Sequence, residues 1–238
     1  EKPGKISDMF KALFKNDQAM TVVVSIILVY TSLNICGNLV LYFFRFDVGN
    51  EGAYSIFAAV AFAAQVLVMM VIPLLRKRFS KSQLFISGFI IQIAGFAVIL
   101  IMAFAKLYTP QSWYILCLPG ILIYLGYGML NVIMTIFLSD SVDYGEVMNG
   151  TREESVIFSM QTFTVKLASG VAVFLAGLVV DWIHLDTAAA VQTQDTLDAL
   201  RMWMTIPSVI LLIVGIFVFK RFYKLDDARM EEIKSKLN

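Results

Sequence analysis

Lys166 asks more of its surroundings than any other residue in this chain. It lies eleven residues into an apolar run from Ser155 to Trp182. At 1.5 Å per residue that is about 17 Å, near the midplane of a hydrocarbon core roughly 30 Å thick. A lysine at that depth costs roughly 2.5–3.5 kcal/mol on insertion scales, so it needs water, a counter-charge or a polar ligand. No Asp or Glu lies deep inside any apolar run. The partner is then a carboxylate on another chain or domain, a bound substrate, or water in a cavity. The alternative is a lysine that snorkels or pairs only to pack a bundle. Charges inside a membrane mark transport paths, which favours the first group of readings.

Further polar residues surround it. Gln161, Thr162, Val165 and Ser169 share a helical face with Lys166. Thr31, Asn34 and Asn38 follow helical spacing, with Gly37 and Tyr42 nearby. Gln65 stands in another apolar run, and Gln92 sits between Gly88 and Gly95, small residues that suit close helix packing. Tyr124, Tyr127, Gly128 and Asn131 follow an expected kink at Pro119. Any one of these serves as well as glue between helices. Together they describe a hydrated cavity with one cation. Amides and hydroxyls beside aromatic rings suit the hydroxyls and apolar faces of a sugar, not a metal or a long acyl chain.

The densest charge cluster is Asp140–Ser155, with Asp140, Asp143, Glu146, Glu153 and Glu154 around Arg152. Asp140 and Asp143 are expected at a helix C-terminus, where the dipole disfavours anions. Arg152 is the nearest basic residue to compensate either of them. A solvated loop is the competing reading of such a cluster.

The elements that must carry these residues follow from composition. Hydrophobic residues make up 59% of 238 and charged residues 16%, against roughly 25% charged in a soluble domain. Six apolar spans can be read: Met20–Phe44, Ala53–Leu75, Gln83–Ala105, Ser112–Leu138, Ser155–Trp182 and Met202–Phe222. Helices are favoured because backbone groups in lipid must be satisfied within the segment, and the alternation of a membrane barrel is absent. Residues 1–19 are expected to form a linker with an amphipathic helix over Ile6–Phe14, lying on the membrane or packed under the bundle. Residues 20–222 form the bundle, and 223–238 a charged, helical tail. Cys36 and Cys117 read as small buried hydrophobes. The only histidine, His184, sits at a helix end, so histidine-based catalysis has little support. The chain starts at Glu1 without an initiator Met or a signal-peptide pattern. It reads as a piece of a longer protein.

Orientation follows from Lys and Arg. Lys2, Lys5, Lys11, Lys15, Arg76, Lys77, Arg78, Lys81, Arg152 and the six basic residues of the tail fall on one side. Only Arg45, Lys106 and Arg201 fall on the other. Both termini are therefore expected in the cytoplasm of a multi-pass protein of the cell membrane.

Three strings are similar to the glycoside–pentoside–hexuronide:cation symporters. They are Asp-x-Val-Asp-Tyr-Gly-Glu from Asp140, Gly-x-Arg-x-Glu-Ser from Gly150 and Ser-x-Gln-Thr-x-x-x-Lys from Ser159. Looser matches run from Lys11 through Leu41–Phe44 to the tail. The resemblance implies an all-α membrane protein, a six-transmembrane-helix bundle that is the C-terminal half of a major facilitator fold (helices seven to twelve). It implies that Lys166 stands beside the sugar and cation sites and couples them. Gln161, Thr162 and Val165 would line the sugar cavity, with Asn131 and Tyr124 facing it from helix ten. Asn131 replaces a large aromatic found in a well-known member. Asp140, Asp143, Tyr144, Glu146 and Arg152 would form a cytoplasmic gate. The co-transported sodium or proton would be held mainly by carboxylates of the N-terminal six-helix half, and no cofactor is implied. The expected partners are that half, membrane lipid and a small-molecule sugar, not nucleic acid. The expected activity is alternating-access symport rather than an enzymatic reaction. A major facilitator carrier of a lipid or other amphiphile, or a non-transporting membrane scaffold subunit, is the alternative.

Overall fold

Apolar runs of this length can satisfy their own backbone only as helices when they lie in hydrocarbon, and the described residues contain no strand. The computed structural model describes residues 14–237. Six helices are long and apolar enough to cross a membrane. They are α1 (Asp17–Tyr42), continued by a π-helical turn over Phe43–Val48, then α2 (Ala53–Leu75) and α3 (Lys81–Phe104). After a 3-10 turn over Trp113–Leu116 come α4 (Cys117–Asn149), α5 (Glu154–Trp182) and α6 (Gln194–Phe222). A short helix, α7 (Asp227–Leu237), follows. Of the expected amphipathic helix over Ile6–Phe14, all but Phe14 lies outside the described residues.

Local chemistry sets the ends. The Asn16 side chain accepts from Ala19 N and caps α1. Ser80 and Gln83 form a reciprocal capping box on α3. Thr193 caps α6. The π turn and α4 both stop at glycines in the left-handed region, Gly49 (φ 74°) and Gly150 (φ 72°). Two boundaries and one expected kink differ from the sequence expectation. The fourth helix runs on past Leu138 to Asn149, so Asp140 and Asp143 are interior to it rather than at its end. The sixth begins at Gln194, which puts Arg201 inside it. Pro119 falls in the first turn of α4, where a missing N–H costs nothing, so it is no kink.

Packing follows a simple rule. α1 packs on α5 and α6, α4 packs on α2 and α3, α1 touches α4, and α3 touches α6. Exchanging α1 with α4, α2 with α5 and α3 with α6 returns these pairings; a smaller α4–α5 contact has no counterpart of similar size. The bundle is thus two three-helix units, and an odd number of crossings makes them inverted relative to one another. Small residues allow the closest crossing. A Cβ on Gly126 would meet Gly88 O at 2.5 Å, and one on Gly95 would meet Ile123 Cγ1 at 2.6 Å. Between them Gln92 is fully buried, and its amide has no hydrogen-bond partner among the described residues. α1 and α6 are clasped by Ser208 Oγ donating to Ser32 O (2.8 Å) and Ser32 Oγ to Ser208 O (3.1 Å). The outward faces of α2, α3 and α6 expose Leu67, Met70, Ile90, Ile101, Ile213 and Phe217. That is a surface for lipid, not water.

Candidate functional site

α5 packs on the bundle by one face only. Ile157, Met160, Thr164, Ala168, Ala172, Ala176 and Val179 are its buried residues, at helical spacing. The alanines among them let α5 lie close on α1. Lys166 projects from the opposite face and is exposed, with Thr162 exposed beside it. Gln161, Val165 and Ser169 are half-buried at the flank. Lys166 makes no ion pair with any described residue.

The second polar set belongs to α1 and α4. Tyr30, Asn34, Asn38 and Tyr42 follow one another a turn apart along α1, and all are half-buried. Thr31, which the sequence grouped with them, is buried and lines an apolar groove towards α6. Asn34 Nδ2 donates to Tyr30 O, and Asn38 Nδ2 to Asn34 O, both at 2.7 Å. Asn131 Nδ2 donates to the Tyr30 hydroxyl at 2.6 Å. The Tyr30 and Tyr127 rings meet edge to face at 5.5 Å, and Tyr124 follows Tyr127 at 6.5 Å. Tyr30 is thus the residue through which α1 holds Asn131. Sequence spacing missed it, because an aromatic in an apolar run carries no sign of a cross-helix bond. No hydrogen bond or ion pair links Lys166, Gln161, Thr162 or Val165 to Asn131 or Tyr124; α1 lies between the two sets.

The acidic cluster divides in two. Arg152 donates to Glu146 Oε2 (2.8 Å), Asp143 Oδ1 (3.0 Å) and Glu154 Oε2 (3.1 Å). Hydrogen bonds to Glu146 first, then Asp143 and Glu154, raise the Arg152 pKa further above its usual range. Asp140 does not reach Arg152. Because α4 continues as helix, Asp140 turns inward and pairs with Lys81 at the first turn of α3, where both side chains are buried. Lys81 also reaches Asp227 of α7 at 3.5 Å, and Arg76 meets Asp227 at 3.2 Å. Tyr144 joins neither pairing; its ring packs on Leu225, Met230 and Ile233 of the tail. Gly145 has a steric role, since a Cβ there would lie 2.7 Å from Asn16 Nδ2, which donates to Ser141 O at 2.7 Å. Asn16 in this way ties the start of α1 to α4.

The opposite end holds a cluster that the sequence reading did not assemble. Arg201 of α6 grips Asp47 of the π turn with both arms, Nε to Oδ2 at 2.8 Å and Nη2 to Oδ1 at 2.5 Å. The Tyr108 hydroxyl donates to Asp47 Oδ2 at 2.6 Å, and Arg201 Nη1 to Asp198 Oδ1 at 2.7 Å. Both partners of the central pair are 3% exposed. Burial, then the hydrogen bond to Asp47, pushes the Tyr108 hydroxyl far above its usual range. The legible signal was an acid and a base of opposite sign placed in connections on the same side.

Residues 1–227 match the family described as MFS/sugar transport protein. The chain belongs to that family. Among its relatives is the symporter YjmB of Bacillus subtilis, 25% identical over 233 residues, covering 98% of this chain and 49% of that one. The raffinose carrier protein of Pediococcus pentosaceus is 23% identical over 234 residues, covering 98% and 35%. The isoprimeverose transporter of Lactiplantibacillus pentosus is 25% identical over 223 residues, covering 93% and 44%. This MFS chain therefore spans half or less of the length of these curated relatives. Membership makes it a multi-pass membrane protein, and the relatives are transporters rather than enzymes.

Proposed function

We propose that this chain is the C-terminal half of a cation-coupled sugar symporter that works by alternating access. The observation that carries the reading is Lys166: a cation at mid-span, on the face of α5 turned away from its own bundle, with no ion-pair partner among the described residues. A second six-helix half, rocking against this one around a midplane site, supplies the other wall. Its carboxylates hold sodium or a proton, and Lys166 competes for them or shares them. Cation occupancy then changes sugar affinity, a coupling typically worth about 1–3 kcal/mol. Gln161, Thr162 and Val165 on α5, and Asn131 and Tyr124 on α4, contact the sugar. The polar stripe on α1 supports a hydroxyl-rich substrate over an amphiphile, whose chain needs an apolar slot beside the lysine.

Arg152 with Asp143 and Glu146, together with Asp140 and Tyr144, forms the gate at the end that faces the cytoplasm of the cell membrane. Both termini share that side, as the distribution of Lys and Arg supports. The test of coupling uses a transporter carrying both halves. Lys166→Gln is expected to abolish accumulation against a gradient while the protein still inserts, since the change removes an insertion cost of about 2.5–3.5 kcal/mol. Wild-type accumulation with unchanged cation dependence would end the coupling role. Arg152→Ala is expected to slow transport while sugar binding persists, because it alters the balance of states and not the site.

A further inference from the structure

Two grooves flank α5, and they differ in chemistry. The one towards α6 is lined by Ile35, Leu175, Trp203, Ile206, Pro207 and Leu211, with no charged side chain. The one on the other flank lies between α5 and α1 and measures about 520 Å³, within the range of small-molecule sites. Asn38, Tyr42, Phe174, Gly177 and Asp181 line it. It sits on the Lys166 side of α5 but well beyond Lys166. Asp181 is fifteen residues further along the same helix, about 22 Å at 1.5 Å per residue. That is the end of the bundle that also carries Asp47 and Arg201.

We propose that Asn38, Tyr42 and Asp181 form an outer sugar-binding site, separate from the one at Lys166, which takes the sugar before it descends. The proposal rests on reading this chain as half of a sugar carrier. Each group has a use. The Asp181 carboxylate is exposed, makes no ion pair among the described residues and can accept from two neighbouring hydroxyls. Asn38 spends its Nδ2 on Asn34 O, which leaves Oδ1 as an acceptor aimed by that bond. Tyr42 offers a ring for the C–H face of a pyranose and a hydroxyl at its rim. Gly177 leaves the floor open, since a Cβ there would meet nothing within 4 Å. From this site Asn34 and Tyr30 continue down α1, each one turn further in, about 6 Å per step, to the level where Tyr30 holds Asn131. Charge also sorts the two sites: an anion at the mouth and a cation at depth.

The test uses a transporter carrying both halves in sealed cells, given labelled lactose, raffinose and isoprimeverose in turn. For a sugar that the wild type accumulates, Asp181→Asn and Tyr42→Ala are each expected to raise the uptake KM about tenfold, the scale of one lost charge-assisted hydrogen bond or ring contact. Maximal rate and final accumulation should stay near wild type, because Lys166 is untouched, and Tyr42→Phe should keep most of the affinity. Unchanged KM in both variants, at equal amounts of membrane-inserted protein, would overturn the site. A direct readout separates this inference from the reading beneath it. With Tyr42→Trp, the same sugar should quench the added fluorescence, and the quench should survive Lys166→Gln. A quench lost with Lys166→Gln would mean one site, not two. A wild type that accumulates none of the three sugars would sink the sugar reading and this inference together.

Discussion

At one end of the bundle Asp47 of the π turn meets Arg201 of α6; at the other, Asp140 of α4 meets Lys81 of α3. The exchange that relates the two triplets carries α1–α6 onto α4–α3, so these are the same joint built twice. In each, the acid lies towards the end of its helix and the base near the start of its own. Helix dipoles disfavour Asp47, in the last turn of its helix, and Lys81, in the first turn of its own, and pairing offsets this. Aromatic rings cluster in the helices that carry each joint: Phe43, Phe44 and Phe57 in one set, and Phe85, Phe137 and Phe219 in the other.

The difference lies in the cation. Arg201 presents a planar fork that holds both oxygens of Asp47, and Tyr108 and Asp198 complete the set. Lys81 is a point charge, shared between Asp140 and the tail residue Asp227. The first joint is closed within the bundle. The second is tied to a helix outside it, and its ammonium can lean towards either acid without leaving the other far behind. The proposed gate needs a joint that rearranges, and the lysine joint stands at the end where the Arg152 cluster lies.

Substitutions at the two joints test that contrast. Arg201→Ala should have the largest effect. It leaves Asp47 buried without its partner, which typically costs about 3–5 kcal/mol. Denaturant unfolding in micelles would read this, and Arg201→Lys should recover only part, since a lysine cannot reproduce the fork. Lys81→Ala should cost somewhat less, towards the lower end of the same range, since Lys81 holds Asp140 through one oxygen only, while Lys81→Arg should cost little in stability but slow transport by fixing a joint that was shared. Equal losses from the two alanine variants would remove the distinction between fork and point charge.

The smallest effect belongs to the tail. Asp227 is 43% exposed at its side chain, so Asp227→Asn should cost under about 1 kcal/mol. It should show instead as faster hydrogen exchange or proteolysis in α7. Partial burial raises the Asp227 carboxyl, but Lys81 and Arg76 lower it more, leaving it below its ordinary 3.8. An acid whose folded pKa is depressed stabilises above its unfolded value and loses that contribution as pH falls through the folded one. Docking of α7 should therefore be level from about pH 5 to 8 and weaken below about pH 4. A tail that loosens between pH 6 and 7 would point to some other group.

Six spans, the mid-span position of Lys166 and the polar composition around it were legible in the sequence alone. Hydropathy and helical period are local, and they persist whatever the helices pack against. The close α3–α4 crossing was legible for the same reason, in Gly88 and Gly95 four and three residues either side of Gln92. Which charges meet depends on the packing of the helices. Arg152 is twelve residues from Asp140 and was its nearest base in sequence, yet Asp140 pairs with Lys81, 59 residues away. The cause is continuation of α4 to Asn149, which turns Asp140 towards α3. Asp47 and Arg201, 154 residues apart, meet because α1 and α6 pack side by side. Ion pairing depends on where helix ends fall and which helices touch, and neither is a local property of the chain.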